Sequence, residues 1–458
     1  NDIHKVCSKK RKTSMFCDMA GNVAEWVNDW VTYFKDTTIT NFIGAPNGGN
    51  LGERIIKGGS FRNSPSNMNV YSRGDVYMVS SSMRAEYVGF RLAFGAIENP
   101  TWMDRSGAAQ TSFIRILAKS ADVRSHTGTY KTKLVFRNDV SGNLAYVDFV
   151  SASPTVTEIL DTLDSYHPDI SPDGRHVAFC TGLEGIDGKS SVYVRDLNAK
   201  GANLVKLDVE SAAIPRWRVL ENGDTVIVYV TGTGNNSDES SFKKQSTWQV
   251  PFMEGKFGTP EKLFDGAYHG GISADNRLAV TGARLLRTKI ANQGETLIDG
   301  GRDTVWYNGE QACNASLSKD GFKQTLFLDF GGKTGRDFDG SEYDVHERLL
   351  IADSTGKLVK SIAAPSGYAF DHSEWATKGI VATLTNMDGS HKKIVYIDPE
   401  TELVLELASG DELWHPAMWS KNVTGTEIDV LLDLDSAGIY YNQNGEDYMF
   451  VLRERMDD

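Results

Sequence analysis

Short apolar stretches alternate with turn-forming residues along most of the chain. From about residue 111 onward, runs of Val, Ile, Leu, Phe and Tyr are separated by Gly, Asp, Asn and Ser. Runs of a few residues that are bounded by such turn residues are typical of β-strands. The pattern therefore predicts a mainly β fold with many short strands.

One unit shows this pattern clearly. The segment His167-Pro-Asp-Ile-Ser-Pro-Asp-Gly-Arg-His-Val-Ala-Phe179 predicts a strand, an Asp-Gly turn and a second strand. A third strand is predicted at Ser191–Leu197 and a fourth at Leu204–Leu207. Four consecutive antiparallel strands are the size of one propeller blade.

Related units recur at intervals of about 43 to 58 residues, and a four-stranded blade takes roughly 40–50 residues. Blades that pack radially bury both of their faces and leave only short edges. The unit at His167 and six related units predict a seven-bladed β-propeller over residues 111–458. If the weakest copy, near Ala121, is not a true repeat, a six-bladed ring is the alternative. The other units begin near Ile214, His269, Asn314, His372 and His415.

The ends of the propeller must also be joined. Thr111–Ala118 has the composition of a strand. We expect it to pair as the outer strand of the last blade, whose other strands come from the C-terminal residues, including Tyr448–Arg453.

The first hundred residues have a different texture. Val23, Trp26, Val27 and Trp30 lie at three- and four-residue spacings, which predicts a helix near Gly21–Trp30. We expect an N-terminal domain over residues 1–100, a linker at 101–110 and the propeller at 111–458.

Composition and charge exclude some classes of function. The 458 residues carry a net charge of −13, which argues against nucleic-acid binding because phosphate recognition needs a basic surface. We expect no transmembrane segment, since no apolar run approaches the roughly 20 residues that span a bilayer. Cys7 and Cys17 lie close in sequence; a disulfide, which would favour an exported protein, and two reduced thiols are both compatible with that spacing.

The repeat at His167 resembles the TolB-like, WD40-like propeller repeats of bacterial envelope proteins. The resemblance covers about three quarters of the chain. It implies the fold rather than an activity, because such propellers occur in scaffolds, peptidases and polysaccharide lyases.

Three ordered motifs in the first hundred residues resemble the C-terminal half of the sulfatase-modifying-factor family, also called the formylglycine-generating-enzyme family. They are Asp18-Met-Ala-Gly-Asn-Val-Ala-Glu-Trp26, Arg54-Ile-Ile-Lys-Gly-Gly-Ser-Phe61 and Gly89-Phe-Arg-Leu-Ala93. The resemblance implies a partial C-type-lectin-like α+β domain. The chain begins at Asn1 without a Met, and we expect the other half of the domain, and a possible lipid anchor, to have preceded it.

We expect this chain to lack the copper site of that family. Catalytic members hold copper between two thiolates, and the aligned positions here are Asn63 and Met68. Because an amide and a thioether do not replace two thiolates, we expect neither copper nor formylglycine-generating activity.

The family also implies a structural calcium site. By position its ligands would be the backbone carbonyls of Ala20, Gly21 and Val23 and the carboxylate of Glu25. Carbonyl and carboxylate oxygens suit Ca²⁺. The alternative is that Glu25 makes a cap or an ion pair and no metal binds.

Four of the nine histidines fall at one repeat position, which begins the innermost strand at the channel mouth: His167, His269, His372 and His415. Imidazoles brought together there could bind a ligand, or Zn²⁺ or Mn²⁺; the alternative is that they cap local backbone groups. The nearby Trp217, Trp375 and Trp419 either stack on sugars or, more in keeping with propeller packing, fill the spaces between blades.

Three hypotheses for function follow. The first is a noncatalytic binding or scaffold protein of the bacterial envelope — a pseudoenzyme, with no catalytic residues — whose partners are envelope proteins or a polysaccharide. The pairing of the two domains resembles paralogous envelope lipoproteins of the Fibrobacter group, which implies an outer-membrane, periplasmic or surface location. The second is a metal-dependent polysaccharide lyase or hydrolase at the propeller channel, and the third is residual oxidoreductase chemistry in the first domain.

Overall fold

The structure is a computed structural model. It describes residues 3–5, 7–8, 17–30, 39, 41–42, 53–68, 79–80, 85–90, 101–103, 109–111, 114–151, 154, 156–159, 162–182, 189–198, 200–386, 389–422, 429–433, 438–443 and 446–451. The chain divides into two compact units, Asn1–Phe113 with Asp139–Ser141, and Ile114–Asn138 with Gly142–Asp458. The domain bounds drawn from the sequence stay predictions.

The N-terminal unit contains a small mixed sheet. Its strands are β1 (Ala24–Trp30), β2 (Glu53–Lys57), β3 (Val79–Ser80), β4 (Val88–Phe90), β5 (Thr101–Met103) and β6 (Ala109–Thr111), with a 3-10 turn at Pro65–Asn67. The sheet order is β3-β2-β1-β4, and β4 runs parallel to β1. Strands β5 and β6 form a separate hairpin. All three family motifs contribute to this unit, although residues 91–93 lie outside the described residues.

The predicted helix over Gly21–Trp30 is wrong, because Ala24–Trp30 is the central strand β1. The segment is rich in Val and Trp, whose branched or broad side chains fit a half-buried pleated surface as well as a helix face. Buried Ala24 packs with Ile56 of β2 in the small core of the sheet. Pairing on both edges decides between the two patterns.

Of the two alternatives for the first two cysteines, the structure has the disulfide: Cys7 and Cys17 are bonded to each other.

The C-terminal unit consists of antiparallel sheets of three to seven strands. Its first strands are β7 (Arg115–Ile116), β8 (Thr132–Asn138), β9 (Asn143–Asp148), β10 (Val156–Ile159), β11 (Tyr166–Ile170), β12 (His176–Cys180), β13 (Val192–Asp196) and β14 (Val205–Lys206). They are followed by β15 (Ala213–Val219), β16 (Thr225–Val230), β17 (Ser246–Met253), β18 (Lys256–Phe257), β19 (Glu261–Asp265), β20 (Gly271–Ile272), β21 (Leu278–Ala291), β22 (Gly301–Val305), β23 (Gln311–Leu317), β24 (Thr325–Asp329), β25 (Arg348–Ala352) and β26 (Leu358–Ala363). The last strands are β27 (Tyr368–Trp375), β28 (Ile380–Asn386), β29 (His391–Ile397), β30 (Val404–Ser409), β31 (Leu413–Ser420), β32 (Val430–Asp433), β33 (Gly438–Gln443) and β34 (Glu446–Val451). The helices are α1 (Ser120–Thr127), α2 (Glu239–Lys244) and α3 (Lys333–Asp339), with a 3-10 turn at Tyr307–Gly309.

The sheets follow the sequence repeats. The unit at His167 forms the sheet β11-β12-β13-β14, which confirms its four predicted strands. The unit at Ile214 forms β15-β16-β17, with β18 and β19 both beside β17, and the unit at His372 forms β27-β28-β29-β30. Strands β20 to β26 form one larger sheet that contains the units at His269 and Asn314. The fold is a mainly β propeller.

The weak repeat near Ala121 does not begin with a strand, because Ser120–Thr127 is helix α1. The remaining strands of this unit, β8 to β10, receive their fourth strand from the other end of the chain, since β31 pairs with β8. Two units that the sequence analysis counted as separate blades therefore share one sheet. This sharing favours the six-bladed alternative, and the blade count itself stays a prediction.

The closing strand is only partly as expected. Arg115–Ile116 does pair as an outer strand, but its partner is β30 of the sheet that begins at Tyr368. The prediction that it joins Tyr448–Arg453 is wrong: β34 pairs with β33 in a separate three-stranded sheet, and residues 452–453 lie outside the described residues.

The cores lie between neighbouring sheets. Trp217 of β15 packs with Tyr166 and Val194 of the preceding sheet, and Trp375 packs with Leu328 of β24. Both indoles are under 10% exposed, at 5% and 8%, so they fill the spaces between sheets rather than stacking on a sugar. No helix among the residues that the structure describes is long and apolar enough to cross a membrane.

Candidate functional site: a histidine cavity and an adjoining cleft

The repeat position coincides with an irregularity in the innermost strands. The register shifts between Tyr166 and Asp169 in β11, and equivalent shifts occur in β15, β23, β27 and β31. The first residue of each irregularity has a positive φ of 45–52°. They are His167, Ile214, Asn314, His372 and His415.

This backbone geometry explains the choice of residue. A left-handed conformation is costly for most side chains but is several-fold enriched in Asn and His. The repeated bulge therefore favours His or Asn for a local reason that is independent of any ligand. Ile214 is the exception, because a β-branched residue at positive φ is strained.

The bulges nevertheless bring the repeat positions together. One small cavity of about 20 Å³ is lined by His167, Ile214, His269, Asn314, His372 and His415, and we call it the histidine cavity. All four histidines predicted from the sequence lie around it. The ring centroids of His167 and His415 are 3.9 Å apart, and those of His372 and His415 are 4.2 Å apart. The volume accommodates about one water-sized group and no sugar ring.

These imidazoles are held in the neutral form. Burial lowers the pKa of His269 to about 3 and that of His372 to about 4, the latter against the opposing charge of Asp371. Burial also lowers the pKa of His167 and His415 well below the ordinary value. Neutral imidazoles have a nitrogen lone pair, so they can accept a hydrogen bond or ligate a metal.

A partly buried ion pair lies beside the rings. Arg216, two residues after Ile214 in β15, pairs with Glu374 of β27, and both line the histidine cavity. The Nε of Arg216 also donates to the backbone oxygen of His269 at 3.1 Å. The guanidinium lowers the pKa of the nearby histidines further.

A second cluster adjoins the cavity at His372. The Nε2 of His391 lies 3.0 Å from Oδ2 of Asp371, and its Nδ1 lies 3.0 Å from Oε2 of Glu412. The Nε1 of Trp414 donates to the same oxygen of Glu412 at 2.9 Å. We call Asp371, His372, His391 and Glu412 the Asp-His cluster.

The charges in this cluster stabilise one another. Burial alone would lower the pKa of His391, but its hydrogen bonds with Asp371 and Glu412 outweigh burial and raise the pKa to about 9. Burial would raise the pKa of Asp371, yet the imidazoles of His372 and His391 hold it below the ordinary value. The cluster is therefore an ion-paired network in the absence of a ligand.

The Asp-His cluster forms part of the wall of a larger cleft. The cleft has a volume of about 530 Å³, within the range of small-molecule sites. Its lining combines aromatic rings with amides and charges, including Asn235, Arg284, Gln311, Phe330, Asp371 and Trp414. Trp414 packs against His391, with ring centroids 4.9 Å apart and the ring planes tilted by 47°.

In the N-terminal unit, the side chains at the two positions aligned with the copper thiolates, Asn63 and Met68, make local contacts. The Oδ1 of Asn63 accepts hydrogen bonds from the N and Oγ of Ser60 at 2.8 and 3.1 Å. The side chain of Met68 lies against Gly59, where an added Cβ would stand 2.7 Å from its Cγ. The amide of Asn63 is therefore hydrogen-bonded within a turn, and the thioether of Met68 packs over Gly59.

The loop proposed for calcium is a tight turn. Gly21 and Asn22 have consecutive positive φ values of 79° and 65°, and the N–H of Gly21 donates to the oxygen of Gly58. The donor types at Ala20, Gly21, Val23 and Glu25 suit Ca²⁺. Glu25 also lies opposite Lys57 in the register of β1 and β2, an arrangement that suits an ion pair. Calcium and the structural role of Glu25 both stay predictions.

Sequence reasoning located the histidines but missed most of the Asp-His cluster. His391 and Glu412 lie outside the repeat position: His391 begins β29, and Glu412 immediately precedes β31. The Asp-His pair at 371–372 was a signal that could have been used. The arrival of His391 beside it depends on pairing between β27, β28 and β29.

Comparison with known proteins gives one family match. Residues 3–96 match the model of the sulfatase-modifying factor enzyme 1-like domain. This finding agrees with the three motifs identified in the sequence. No curated protein matches the chain.

Solved structures resemble the chain at low identity. A structure titled as a nidogen/laminin complex shares 12% identity, covers 63% of this chain and 98% of its own, and has a TM-score of 0.40. The β-propeller domain of the Trilobed protease from Pyrococcus furiosus shares 15% identity over 70% and 94% of the two chains, with a TM-score of 0.34. A putative 6-phosphogluconolactonase from Bacteroides uniformis shares 9% identity over 70% and 95%, with a TM-score of 0.36.

Proposed function

We propose that the protein is a noncatalytic binding protein of the bacterial cell envelope that holds a polysaccharide or a protein partner on its propeller. The single observation that carries the noncatalytic part is the pair Asn63 and Met68 at the thiolate positions. Both side chains are engaged in local packing or hydrogen bonding. Neither can act as a thiolate nucleophile or form the thiolate clamp that Cu(I) needs.

The cleft supports a polysaccharide as the partner. Its volume suits one or a few sugar rings. Aromatic faces such as Trp414 and Phe330 pack against the apolar faces of sugars, while amides and guanidinium groups bind hydroxyls. Asn235, Gln311 and Arg284 supply those polar groups.

The location is proposed on two grounds. The disulfide Cys7–Cys17 is typical of oxidising compartments outside the cytosol. The pairing of a sulfatase-modifying-factor-like domain with TolB-like repeats resembles envelope lipoproteins of the Fibrobacter group. A structural calcium at the Glu25 loop belongs to the same proposal.

Binding is tested by calorimetric titration of the purified chain with a panel of envelope and plant cell-wall oligosaccharides. We expect saturable binding to at least one of them, weakened at least about tenfold by Trp414→Ala, because fully burying a large apolar side chain contributes about 1.5–3 kcal/mol. The matched control is Trp419→Ala, since Trp419 packs against Gly174 and is not among the cleft residues. Equal affinity of wild type and Trp414→Ala for every ligand would contradict the cleft as the site.

The absence of formylglycine chemistry is tested separately. The chain is incubated with Cu(I) and a cysteine-containing sulfatase peptide, and conversion of the cysteine to an aldehyde is followed by mass spectrometry. We expect no conversion. Any catalytic turnover by the wild-type chain would overturn the noncatalytic proposal.

A second candidate is a metal-dependent polysaccharide lyase or hydrolase, and one observation favours it. Asp371, His372 and His391 have shifted pKa values, and two of them, Asp371 and His372, lie on the wall of a cleft. Sets of side chains with shifted pKa values are enriched at active sites. Its test is depolymerisation: an enzyme would generate new reducing ends or unsaturated products from a bound polysaccharide, whereas a binding protein would leave its chain length unchanged.

A further inference from the structure

We propose that Asp371, His372 and His391 form a binding site for a divalent transition metal, with Zn²⁺ as the best fit. Each side chain offers one ligand atom, and these atoms all lie within 4.8 Å of one another. The proposal is independent of whether the cleft binds a polysaccharide.

The distances are close to those of a zinc site. Zinc bonds of about 2.0–2.1 Å in tetrahedral geometry place ligand atoms roughly 3.3 Å apart. Oδ2 of Asp371 lies 3.0 Å from Nε2 of His391 and 3.8 Å from Nε2 of His372. Shifts of less than about 1.5 Å, which side-chain rotations supply, bring all three onto one ion.

The donor set also suits zinc. Two imidazole nitrogens and one carboxylate oxygen are a common three-residue set for Zn²⁺, in which water takes the fourth position. Ca²⁺ and Mg²⁺ prefer oxygen ligands alone. Asp371 and His372 line the 530 Å³ cleft, so the fourth position has access to solvent.

His372 supplies an independent observation. Its Nε2 is buried and has no hydrogen-bond partner within the part of the chain that the structure describes. A buried polar atom without a partner costs about 1–3 kcal/mol, and it points to a missing ligand. The imidazole of His372 packs between neighbouring rings, with ring centroids 5.3 Å from His391 and 5.1 Å from Trp414.

Outer hydrogen bonds already orient the other two ligands. Glu412 accepts from Nδ1 of His391, which leaves Nε2 directed at the site, and Trp414 holds Glu412 in turn. The Oδ1 of Asp371 accepts from Nδ2 of Asn314 at 3.0 Å and from the backbone N–H of His372 at 2.8 Å. A carboxylate that orients a ligating imidazole is the usual outer shell of zinc sites. On binding, the proton that His391 shares with Asp371 leaves to solvent.

The test uses the full chain after treatment with a chelator and gel filtration. Zn²⁺ is titrated in competition with a chromophoric zinc indicator, and Co²⁺ is titrated alone to read its visible spectrum. We expect one equivalent of zinc per chain and a four- or five-coordinate Co²⁺ spectrum. We also expect a higher midpoint of thermal unfolding for the wild-type chain with zinc, because a ligand of the folded state stabilises it.

Substitutions test which residues bind the zinc ion. His391→Ala should weaken zinc binding at least about 100-fold, and Glu412→Gln should weaken it about 10- to 100-fold, as for other outer-shell residues. The matched control is His176→Ala: His176 also lies near two carboxylates, those of Asp173 and Asp196, at 3.8 and 3.6 Å, and its loss should leave zinc affinity unchanged.

Three results would overturn the proposal. They are no zinc binding by the wild-type chain, wild-type affinity in His391→Ala, or loss of binding in His176→Ala alone. The first leaves the cluster as an ion-paired network. If His391→Ala does not fold, the Co²⁺ spectrum and the zinc-dependent thermal shift of the wild-type chain still test whether the site binds a metal. Because these readouts contain no polysaccharide, they are unaffected by the outcome of the binding experiment.

Discussion

Acid should destabilise the propeller through the histidine cavity, and His269 allows the effect to be measured. Burial lowers the pKa of His269 to about 3, whereas its unfolded value is about 6.5. Between these values the unfolded chain binds a proton that the folded chain does not. Stability is therefore intact above pH 6.5 and is lost as the pH falls below it.

The magnitude follows from the two pKa values. Integrating the proton difference from pH 7 to pH 5 gives a loss of about 2 kcal/mol for His269 alone. The depressed pKa of His167 and that of His415 add losses of the same sign. The pKa of His391, raised to about 9, works in the opposite direction, because its stabilisation is full below pH 6.5 and is lost as the pH rises through 9. Between pH 7 and pH 5, His391 therefore raises the free energy of unfolding by about 1 kcal/mol.

The assay is urea denaturation followed by tryptophan fluorescence at pH 7 and at pH 5, with a chelator present. The measured quantity is the difference between the two free energies of unfolding. His269→Asn should reduce this difference by about 2 kcal/mol, whatever it does to stability at pH 7. Asparagine is chosen because Asn314 occupies the same repeat position.

The control is Ile214→Val, at the equivalent position of the neighbouring repeat. It removes one methylene and should cost about 0.5–1.5 kcal/mol at both pH values. The difference between pH 7 and pH 5 should stay at the wild-type value. If His269→Asn also keeps the wild-type difference, within about 0.5 kcal/mol, the buried neutral state of His269 is refuted.

Further substitutions test the packing and the disulfide. Asp169→Ala removes the carboxylate that accepts from the N–H of Trp217 at 2.8 Å and should lower the free energy of unfolding in urea by about 2 kcal/mol; an unchanged midpoint would exclude this link between sheets. Cys17→Ser opens a loop with a sequence separation of 10 and should cost the N-terminal unit about 3 kcal/mol, seen as a fall in its thermal midpoint that reductant does not deepen. Gly174→Ala, at φ +72° with a Cβ 2.6 Å from an indole ring, should lower the thermal midpoint more than Gly223→Ala, at φ +88° with nothing within 4 Å; equal effects would contradict the packing.

Much of the fold could be predicted because the repeats carry local signals. The Asp-Gly turn and the two flanking apolar runs around Gly174 specify a hairpin by themselves. Ring closure could not be predicted in the same way. The pairing of β31 with β8 joins distant parts of the chain, and the repeat pattern does not specify which strands from the two ends will pair.

The helix predicted near Gly21–Trp30 is wrong for a related reason, since Ala24–Trp30 is a strand. Val23, Trp26, Val27 and Trp30 fit a helical period, yet a segment this short is decided by its neighbours. Strands β2 and β4 pair with both edges of β1, and only the folded chain supplies them.

The candidate site likewise has one part that the sequence predicts and one part that it does not. The repeat position placed the four histidines together, and the positive φ at His167, His372 and His415 gives the physical reason for their residue type. Asp371 and His391 come together through strand register alone. Sequence periodicity carries no information about that contact.

The most direct test of the central proposal measures binding and turnover in one sample. The chain is mixed with the best polysaccharide from the calorimetric panel, and the bound fraction and the polysaccharide length distribution are followed over time. A noncatalytic binding protein should bind saturably, lose binding in Trp414→Ala, and release polysaccharide of unchanged length. Progressive shortening by the wild-type chain, or no binding to any member of the panel, would contradict it.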